Sequence, residues 1–197
     1  MRIFLVVGYS GSGKTYLIEK AIRTLSRSEI ELGVLKHIHY SHPIDFDRKG
    51  KDTWRFYNSG ASMVMASHRD GITIMKRSSS RTEPAKELLK EFMEEGIDCV
   101  FVEGFYDELK SFDGVISVLC ATNQRDALDL LARHSRARTL CVTGRAAEHT
   151  NRRLLRGIPF VKTDSAVRMI QTEILGKTGN NPPHSGGMRY NQSSKAG

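Results

Sequence analysis

Short apolar runs separated by stretches of helical spacing make up most of this chain. The runs are long enough for buried strands and too short for helices. They are Ile3–Val7, Leu32–Lys36, Cys99–Val102, Val115–Leu119 and Thr139–Val142. Helical spacing appears at Tyr16–Leu25, at Leu88, Leu89, Phe92 and Met93, at Ala127–Arg133 and at Ser165–Leu175. Alternating strands and helices predict a three-layer α/β/α fold with a mostly parallel sheet, whose ligands bind at the carboxyl ends of the strands.

The segment between residues 53 and 76 departs from this alternation. Thr53–Gly60 has the pattern of a short helix ended by glycine. Ala61–Ala66 and Ile72–Met75 follow as two strands joined across an Asp-Gly step, which is a hairpin signal. We expect this hairpin to form an antiparallel edge of the sheet.

Length and composition favour one folded domain followed by a tail. The chain has 197 residues, 39% of them hydrophobic and 26% charged, as in globular proteins. From Gly176 onward, Gly, Asn, Pro and Ser replace apolar residues, so we assign residues 1–176 to a domain and predict that 177–197 are disordered. No apolar stretch reaches membrane-spanning length, and the first strand starts too early for a signal peptide, so we expect a cytoplasmic protein.

The three cysteines, Cys99, Cys120 and Cys141, lie apart in strand-like runs. Their spacing and odd number favour buried reduced thiols over a disulfide framework or a zinc site. The formal charge of +8 suits nucleic acid, but it also suits a protein that holds phosphorylated ligands. Charge alone therefore leaves the partner open.

A glycine-rich segment between the first strand and the first helix carries the strongest chemical signal. Three glycines let the backbone turn its N–H groups toward a polyphosphate, and the following helix directs its positive end at the same anion. Lys14 adds a cation for the outer phosphates, and the hydroxyl of Thr15 can complete a Mg²⁺ shell. The segment is Gly8, Tyr9, Ser10, Gly11, Ser12, Gly13, Lys14 and Thr15. It predicts the phosphate loop of a P-loop NTPase.

Glu103 is the first acidic residue after the Cys99–Val102 strand. It should emerge beside the phosphate loop, where a carboxylate can hold a Mg²⁺-bound water or orient an attacking water. The alternative is an ordinary carboxylate at the end of a strand.

A charged loop contains Asp45, Asp47 and Asp52 beside Arg55. Phosphate-loop proteins often order such a segment through the terminal phosphate and metal, so Asp47 and Asp52 are candidate metal contacts and Arg55 a candidate phosphate contact. A solvated loop is the alternative. His37, His39 and His42 lack a thiolate or a fixed third ligand for tight metal binding, so polar contacts to a second ligand are favoured.

Asn123-Gln124-Arg125-Asp126 has the shape of the guanine-reading Asn-Lys-x-Asp element of GTPases, with glutamine in place of lysine. Asn123 and Asp126 are therefore candidate base contacts, and the alternative is the capped start of a helix. Arginines are frequent from Arg133 to Arg156. They form either a solvated basic face or a lid or docking face for an anionic ligand or partner.

Five segments occur in a fixed order between about residues 1 and 106: the phosphate loop, Lys36-His37-Ile38-His39, the stretch from Asp47 to Arg55, Ser59-Gly60-Ala61 and Val102-Glu103-Gly104-Phe105. In this order they resemble the MobB family of molybdopterin-guanine dinucleotide biosynthesis adaptor proteins. After Phe105 the chain lacks the short Pro-Lys stretch usual in the family.

The resemblance implies a GTP-binding protein with weak Mg²⁺-dependent hydrolysis, usually a homodimer. Its implied partners are a MobA-type guanylyltransferase and molybdopterin or its guanine dinucleotide. By position, Gly8 to Thr15 would bind GTP, Thr15 would bind Mg²⁺ and Glu103 would lie on the metal or water side, with Asp47, Asp52 and Arg55 in the responsive loop.

Two other classes stay open at this point. A small-molecule kinase on the same fold would use ATP or GTP and phosphorylate an acceptor. A nucleic-acid-dependent NTPase would bind DNA or RNA with strong salt dependence. The second ranks last because no recognised nucleic-acid motif occurs in the chain.

Overall fold

The computed structural model describes residues 1–37, 52–68, 71–77, 84–134, 138–148 and 150–176. A five-stranded parallel sheet forms the centre, in the order β2-β5-β1-β6-β7. These strands are β1 Arg2–Val7, β2 Leu32–Lys36, β5 Cys99–Glu103, β6 Val115–Cys120 and β7 Arg138–Thr143. All five correspond to the predicted apolar runs.

Helices cover both faces of the sheet, which confirms the three-layer α/β/α prediction. Successive strand residues point to opposite faces, so Phe4 packs with α1 (Lys14–Leu25) and α7 (Thr163–Leu175), whereas Leu5 packs with α3 (Ala85–Glu94). The second face also carries α4 (Tyr106–Leu109), α5 (Gln124–Arg133) and α6 (Arg145–Glu148). Parallel strands buried on both faces read as the continuous apolar runs seen in the sequence.

The predicted hairpin forms, but it pairs only with itself among the described residues. It consists of β3 (Met63–His68) and β4 (Gly71–Lys76) and follows the predicted short helix α2 (Asp52–Asn58). The expectation that it would extend the main sheet is corrected: it is a separate two-stranded sheet. Strand-like residues and a turn signal predict a hairpin, but they do not specify which strand lies beside it.

A second small hairpin lies near the end of the domain. Its strands are β8 (Leu154–Leu155) and β9 (Ile158–Pro159). Directly after it, Phe160 forms a parallel bridge with Val142 of β7. This bridge returns the chain to the edge of the main sheet and brings the start of α7 to the carboxyl ends of the strands.

The three cysteines are free and buried, as predicted. Burial raises the pKa of each thiol to about 12. Among the helices of the described residues, none combines the length and the apolar character that a membrane span needs. The predicted tail at 177–197 lies outside the described residues.

Candidate functional site

The glycine-rich segment forms a loop between the end of β1 and the start of α1. Gly11 and Gly13 have φ angles of 72° and 97°, in the left-handed region that favours glycine. α1 begins at Lys14, directly after Gly13. The first N–H groups of a helix have no partner within it, so this arrangement offers donors and a positive helix end to an anion.

Two glycines fit the loop closely against the neighbouring strand ends. A Cβ added at Gly8 would lie 2.1 Å from the carbonyl oxygen of Cys120, at the end of β6. A Cβ added at Gly144, which follows β7 and has a φ angle of 90°, would lie 2.4 Å from the carbonyl oxygen of Ser12. Both positions therefore require glycine because backbone atoms occupy the space of a side chain.

Glu103 lies between two lysines beside the loop. It pairs in register with Val6 of β1 and with Lys36 of β2. Its Oε1 is 3.8 Å from Nζ of Lys14, and its Oε2 is 3.6 Å from Nζ of Lys36. The Lys14 ammonium also donates to the carbonyl oxygen of Tyr9 at 2.9 Å. The predicted position of Glu103 at the ligand edge of the sheet is thus found, and Lys36 is a second cation that the sequence analysis did not assign.

A cleft of about 750 Å³ opens along this edge of the sheet. Its size is within the range of small-molecule and cofactor sites. One end is formed by the phosphate loop with Lys36 and Glu103. The remaining lining residues are Tyr16 and Lys20 on α1, then Gly144, Arg145, Glu148, Thr163 and Asp164.

The wall opposite α1 comes from segments far apart in the sequence. Glu148, at the end of α6, accepts hydrogen bonds at its Oε1 from the backbone N–H of Thr163 at 3.0 Å and from its hydroxyl at 2.9 Å. The next residue, Asp164, accepts a hydrogen bond from the Lys20 ammonium of α1. That contact lowers the pKa of Asp164 and raises the pKa of Lys20. Glu148, Thr163 and Asp164 were not among the predicted site residues. Glu148 follows β7 on the short helix α6, whereas Thr163 and Asp164 reach the loop only after the bridge between Phe160 and Val142 returns the chain to the sheet.

The structure places Asn123 and Asp126 at the start of α5, outside the lining of the cleft. The Asn123 side chain accepts from the backbone N–H of Asp126 at 2.9 Å, and the Asp126 carboxylate accepts from the Thr122 hydroxyl. This is the capped helix start that the sequence analysis kept as the alternative. Nearby, Tyr9 donates its hydroxyl to Asp129 of α5, which raises the pKa of Tyr9 and lowers the pKa of Asp129.

The candidate metal contacts divide into three groups. Thr15 and Glu103 border the cleft. Asp52 is exposed on α2, 3.7 Å from Arg55, and neither residue lines the cleft. Asp47 lies outside the described residues, as do His39 and His42. No group of three or more metal-binding side chains occurs in the described part of the chain. Mg²⁺ at a phosphate site takes most of its ligands from phosphate and water, so the Thr15 hydroxyl and the Glu103 carboxylate suit that ion.

His37 continues from β2 and packs beside Glu103. The imidazole ring of His37 stacks on Phe105 with the ring centroids 4.6 Å apart. The backbone N–H of His37 donates to the carbonyl oxygen of Glu103 at 2.8 Å. A Cβ at Gly104 would lie 2.5 Å from Cβ of His37, so this glycine permits the packing. His37 therefore supports the backbone that holds Glu103.

Comparisons with known proteins agree with one another. The family model described as molybdopterin guanine dinucleotide synthesis protein B, MobB, matches residues 3–129. The chain is 38% identical over 103 residues to the molybdopterin-guanine dinucleotide biosynthesis adapter protein of Haemophilus influenzae, covering 52% of this chain and 56% of that protein. It is 31% identical over 135 residues to a putative adapter protein of the same description from Methanocaldococcus jannaschii, covering 68% of this chain and 53% of that protein.

Solved structures give the same fold. A crystal structure of Bacillus subtilis MobB superposes with a TM-score of 0.70 at 24% identity, covering 90% of this chain and all of that chain. A MobB homologue from Bacillus stearothermophilus superposes with a TM-score of 0.60 at 21% identity, covering 88% of this chain and 98% of that chain. The sequence matches span only slightly more than half the length of these curated relatives.

Proposed function

The chain belongs to the MobB family, whose model matches more than half of its length, and from this premise we propose that it is a GTP-binding accessory protein with slow GTPase activity. Its role is in making the guanine dinucleotide form of the molybdenum cofactor. The observation that carries the proposal is the cleft of about 750 Å³ that is lined by the glycine-rich loop, Lys14 and Glu103 and, farther along, by Glu148, Thr163 and Asp164.

The chain's own groups account for triphosphate binding. Backbone N–H groups of the loop and of the first turn of α1 donate to phosphate oxygens, and the Lys14 ammonium contributes a charge-assisted hydrogen bond. In the described structure this ammonium is held by the Tyr9 carbonyl and by Glu103, and a bound phosphate replaces those partners. Mg²⁺, when bound with the nucleotide, would neutralise developing negative charge, and the Thr15 hydroxyl, which borders the cleft, would ligate it.

Hydrolysis requires a water in line with the terminal phosphate. Glu103 has the position for orienting such a water, because it lies at the Lys14 end of the cleft with 18% of its side chain exposed. Lys36 faces the same carboxylate from β2. Slow turnover suits an accessory protein that uses nucleotide binding to change its contacts rather than to drive a reaction.

We assign the guanylyl transfer itself to a MobA-type partner that acts on molybdopterin.

We expect this chain to work as a homodimer, and the β3–β4 hairpin supports this expectation. Alternate side chains on one of its faces, Met63, Met65, Ile72 and Ile74, are 50–62% exposed and form a contiguous apolar surface. Such surfaces commonly mark protein contacts. Light scattering of wild type and Met65→Asp checks this part: the variant should be monomeric, and a monomeric wild type would refute the dimer.

A nucleotide competition series tests the central proposal. Wild-type protein should bind GTP in the presence of Mg²⁺ and prefer it to ATP, and Lys14→Ala should lose most of that affinity. Product analysis should give GDP and inorganic phosphate. A phosphorylated acceptor would instead identify a small-molecule kinase, and equal affinity for the two nucleotides would remove the guanine assignment.

Addition of the protein to a MobA-type guanylyltransferase assay tests the accessory role. GMP transfer to molybdopterin should increase with wild type and not with Lys14→Ala. If the two proteins have equal effects, nucleotide binding is not part of the accessory function.

A further inference from the structure

The cleft has a defined polarity along α1. The phosphate-binding end is fixed by Lys14 at the start of this helix, and Lys20 borders the cleft six residues farther along. At 1.5 Å per residue, the two lysines are separated by about 9 Å along the helix axis. A nucleotide held by its phosphates at Lys14 therefore extends its sugar and base toward Lys20 and the start of α7.

Three carboxylates border the cleft among the described residues: Glu103, Glu148 and Asp164. Glu103 lies at the phosphate end, 3.8 Å from Lys14. Glu148 already accepts two hydrogen bonds from Thr163, and these hold the start of α7. Asp164 contacts the flexible Lys20 side chain, and 60% of its own side chain is exposed. Asp164 is thus the carboxylate at the far end that can exchange its partner for a ligand.

Guanine presents two adjacent donors, the ring N1–H and the exocyclic 2-amino group, and a carboxylate accepts from both at once. Adenine presents an unprotonated N1 at the same place and would direct a lone pair at the carboxylate. A carboxylate at this end of the cleft therefore selects guanine by attraction and rejects adenine by repulsion.

We propose that Asp164 is the residue that reads guanine in this protein, exchanging its contact with Lys20 for the N1–H and amino groups of the base. This proposal rests on the proposed nucleotide binding and adds the determinant of its selectivity. It transfers the base-reading role from Asp126, whose Oδ2 accepts from the Thr122 hydroxyl at the start of α5, to a residue that borders the cleft.

The ionic state of Asp164 suits this role. Its pKa is lowered, first by the hydrogen bond from Lys20 and then by the charges of Lys20 and Arg168. An ordinary aspartate is already ionised at neutral pH, so the carboxylate acts as a pure acceptor both with Lys20 in contact and after Lys20 is displaced. Lys20, once displaced, remains beside the cleft as a cation near the sugar and phosphates.

Xanthosine triphosphate tests this proposal in two directions, because Asp164→Asn should weaken the binding of GTP and strengthen the binding of xanthosine triphosphate. Xanthine keeps the ring N1–H but carries a carbonyl oxygen in place of the 2-amino group. In Asp164→Asn, the side-chain oxygen still accepts from N1–H while the new NH₂ donates to that carbonyl. The experiment measures dissociation constants of GTP, xanthosine triphosphate and ATP by competition against a fluorescent nucleotide. Wild type, Asp164→Asn, Asp126→Asn and Lys14→Ala are compared, and circular dichroism verifies that each is folded.

We expect the preference for GTP over xanthosine triphosphate to fall by about 100-fold in Asp164→Asn and to stay at the wild-type value in the matched control Asp126→Asn. A change of less than tenfold in Asp164→Asn, or an equal change in the control, overturns the assignment of Asp164. If wild type binds none of the three nucleotides, or if Lys14→Ala binds them as tightly as wild type, the nucleotide-binding proposal itself fails and this one with it. The two failures are therefore distinguishable.

Discussion

The ammonium group of Lys36 lies 3.6 Å from the carboxylate of Glu103, across the boundary between β2 and β5. The two residues are paired in register at the carboxyl ends of neighbouring strands, so the sheet fixes the spacing of their backbones. The same carboxylate contacts Lys14, so two cations converge on the phosphate end of the cleft. A terminal phosphate placed there can compete with Glu103 for both.

Replacing Lys36 by alanine should weaken GTP binding about tenfold more than GDP binding. The reason is that a charge-assisted hydrogen bond to the terminal phosphate is lost, and GDP lacks that group. Isothermal titration with the two nucleotides measures the difference, and Lys36→Arg should restore most of it because the charge is retained. An equal loss for GTP and GDP would place Lys36 away from the terminal phosphate.

Alanine substitutions at Gly144 and Gly114 can be compared to test how closely the phosphate loop packs against the turn after β7. Both have positive φ angles, 90° and 85°, but an added Cβ meets nothing within 4 Å at Gly114 and backbone atoms at Gly144. Gly114→Ala should cost about 1 kcal/mol from backbone strain alone. Gly144→Ala should cost about 3 kcal/mol, because the clash adds to the strain, and should also weaken nucleotide binding.

Urea unfolding of the two variants measures these free energies. If both substitutions lower stability equally, the contact between the loop and the turn after β7 does not constrain the fold. Retained GTP binding in Gly144→Ala would likewise show that the loop tolerates the displacement.

His134 should make stability depend on pH below neutrality. It is buried at the end of α5, its ring centroid is 4.2 Å from that of Tyr106, and its Nδ1 lies 2.7 Å from the carbonyl oxygen of Leu130. Burial lowers the pKa of His134. The backbone hydrogen bond to Leu130 raises it by less, and the positive charges of Lys110 and Arg133 lower it further. The unfolded chain therefore takes up the proton first, so this contribution to stability is present above about pH 6.5 and is lost as the pH falls.

Between about pH 7.5 and pH 5.5, wild type should lose more stability than His134→Gln, with a difference of at most about 1.4 kcal/mol per pH unit below 6.5. Urea unfolding at several pH values gives both profiles. Parallel profiles would mean that the imidazole is protonated equally easily in the folded and unfolded states.

The three cysteines should not react with a thiol reagent at about pH 8 while the protein is folded. Each is fully buried, and its pKa is raised to about 12, so the thiolate is absent as well as inaccessible. All three should react once the chain is unfolded in guanidinium chloride. Since the folded pKa values exceed the ordinary value of 9.0, the thiols should also make stability decrease as the pH rises from 9 toward 12. Rapid labelling of the folded protein would contradict this burial.

Local sequence patterns predicted the parts of the fold that local forces determine. The strand ending at Val7, the glycine-rich loop and the helix from Lys14 are contiguous, so their order was sufficient to predict the strand-loop-helix unit that the structure contains. Glu103 was also predictable, because the end of a parallel strand identifies the ligand edge of the sheet. The hairpin was predicted from two strand-like runs and an Asp-Gly turn, but these local signals do not specify which strand lies beside it.

The far wall of the cleft could not be predicted in the same way. Asp164 reaches the cleft through the bridge between Val142 and Phe160, and nothing in the neighbouring sequence encodes that contact. The converse holds for Asn123 and Asp126. Their four-residue motif resembles a base-reading element, but the same residue types also cap the first turn of a helix. In the structure Asn123 caps α5 in this way.

The close fit of Gly8 and Gly144 against main-chain atoms has a consequence for how this protein would respond to its nucleotide. The loop is confined between two strand ends. If it binds nucleotides as proposed, we expect its backbone to stay in place when one nucleotide replaces another. A partner would then detect the bound nucleotide through side chains that change their contacts. The first of these changes would be the release of Glu103 by Lys14 and Lys36, which contact it in the described structure.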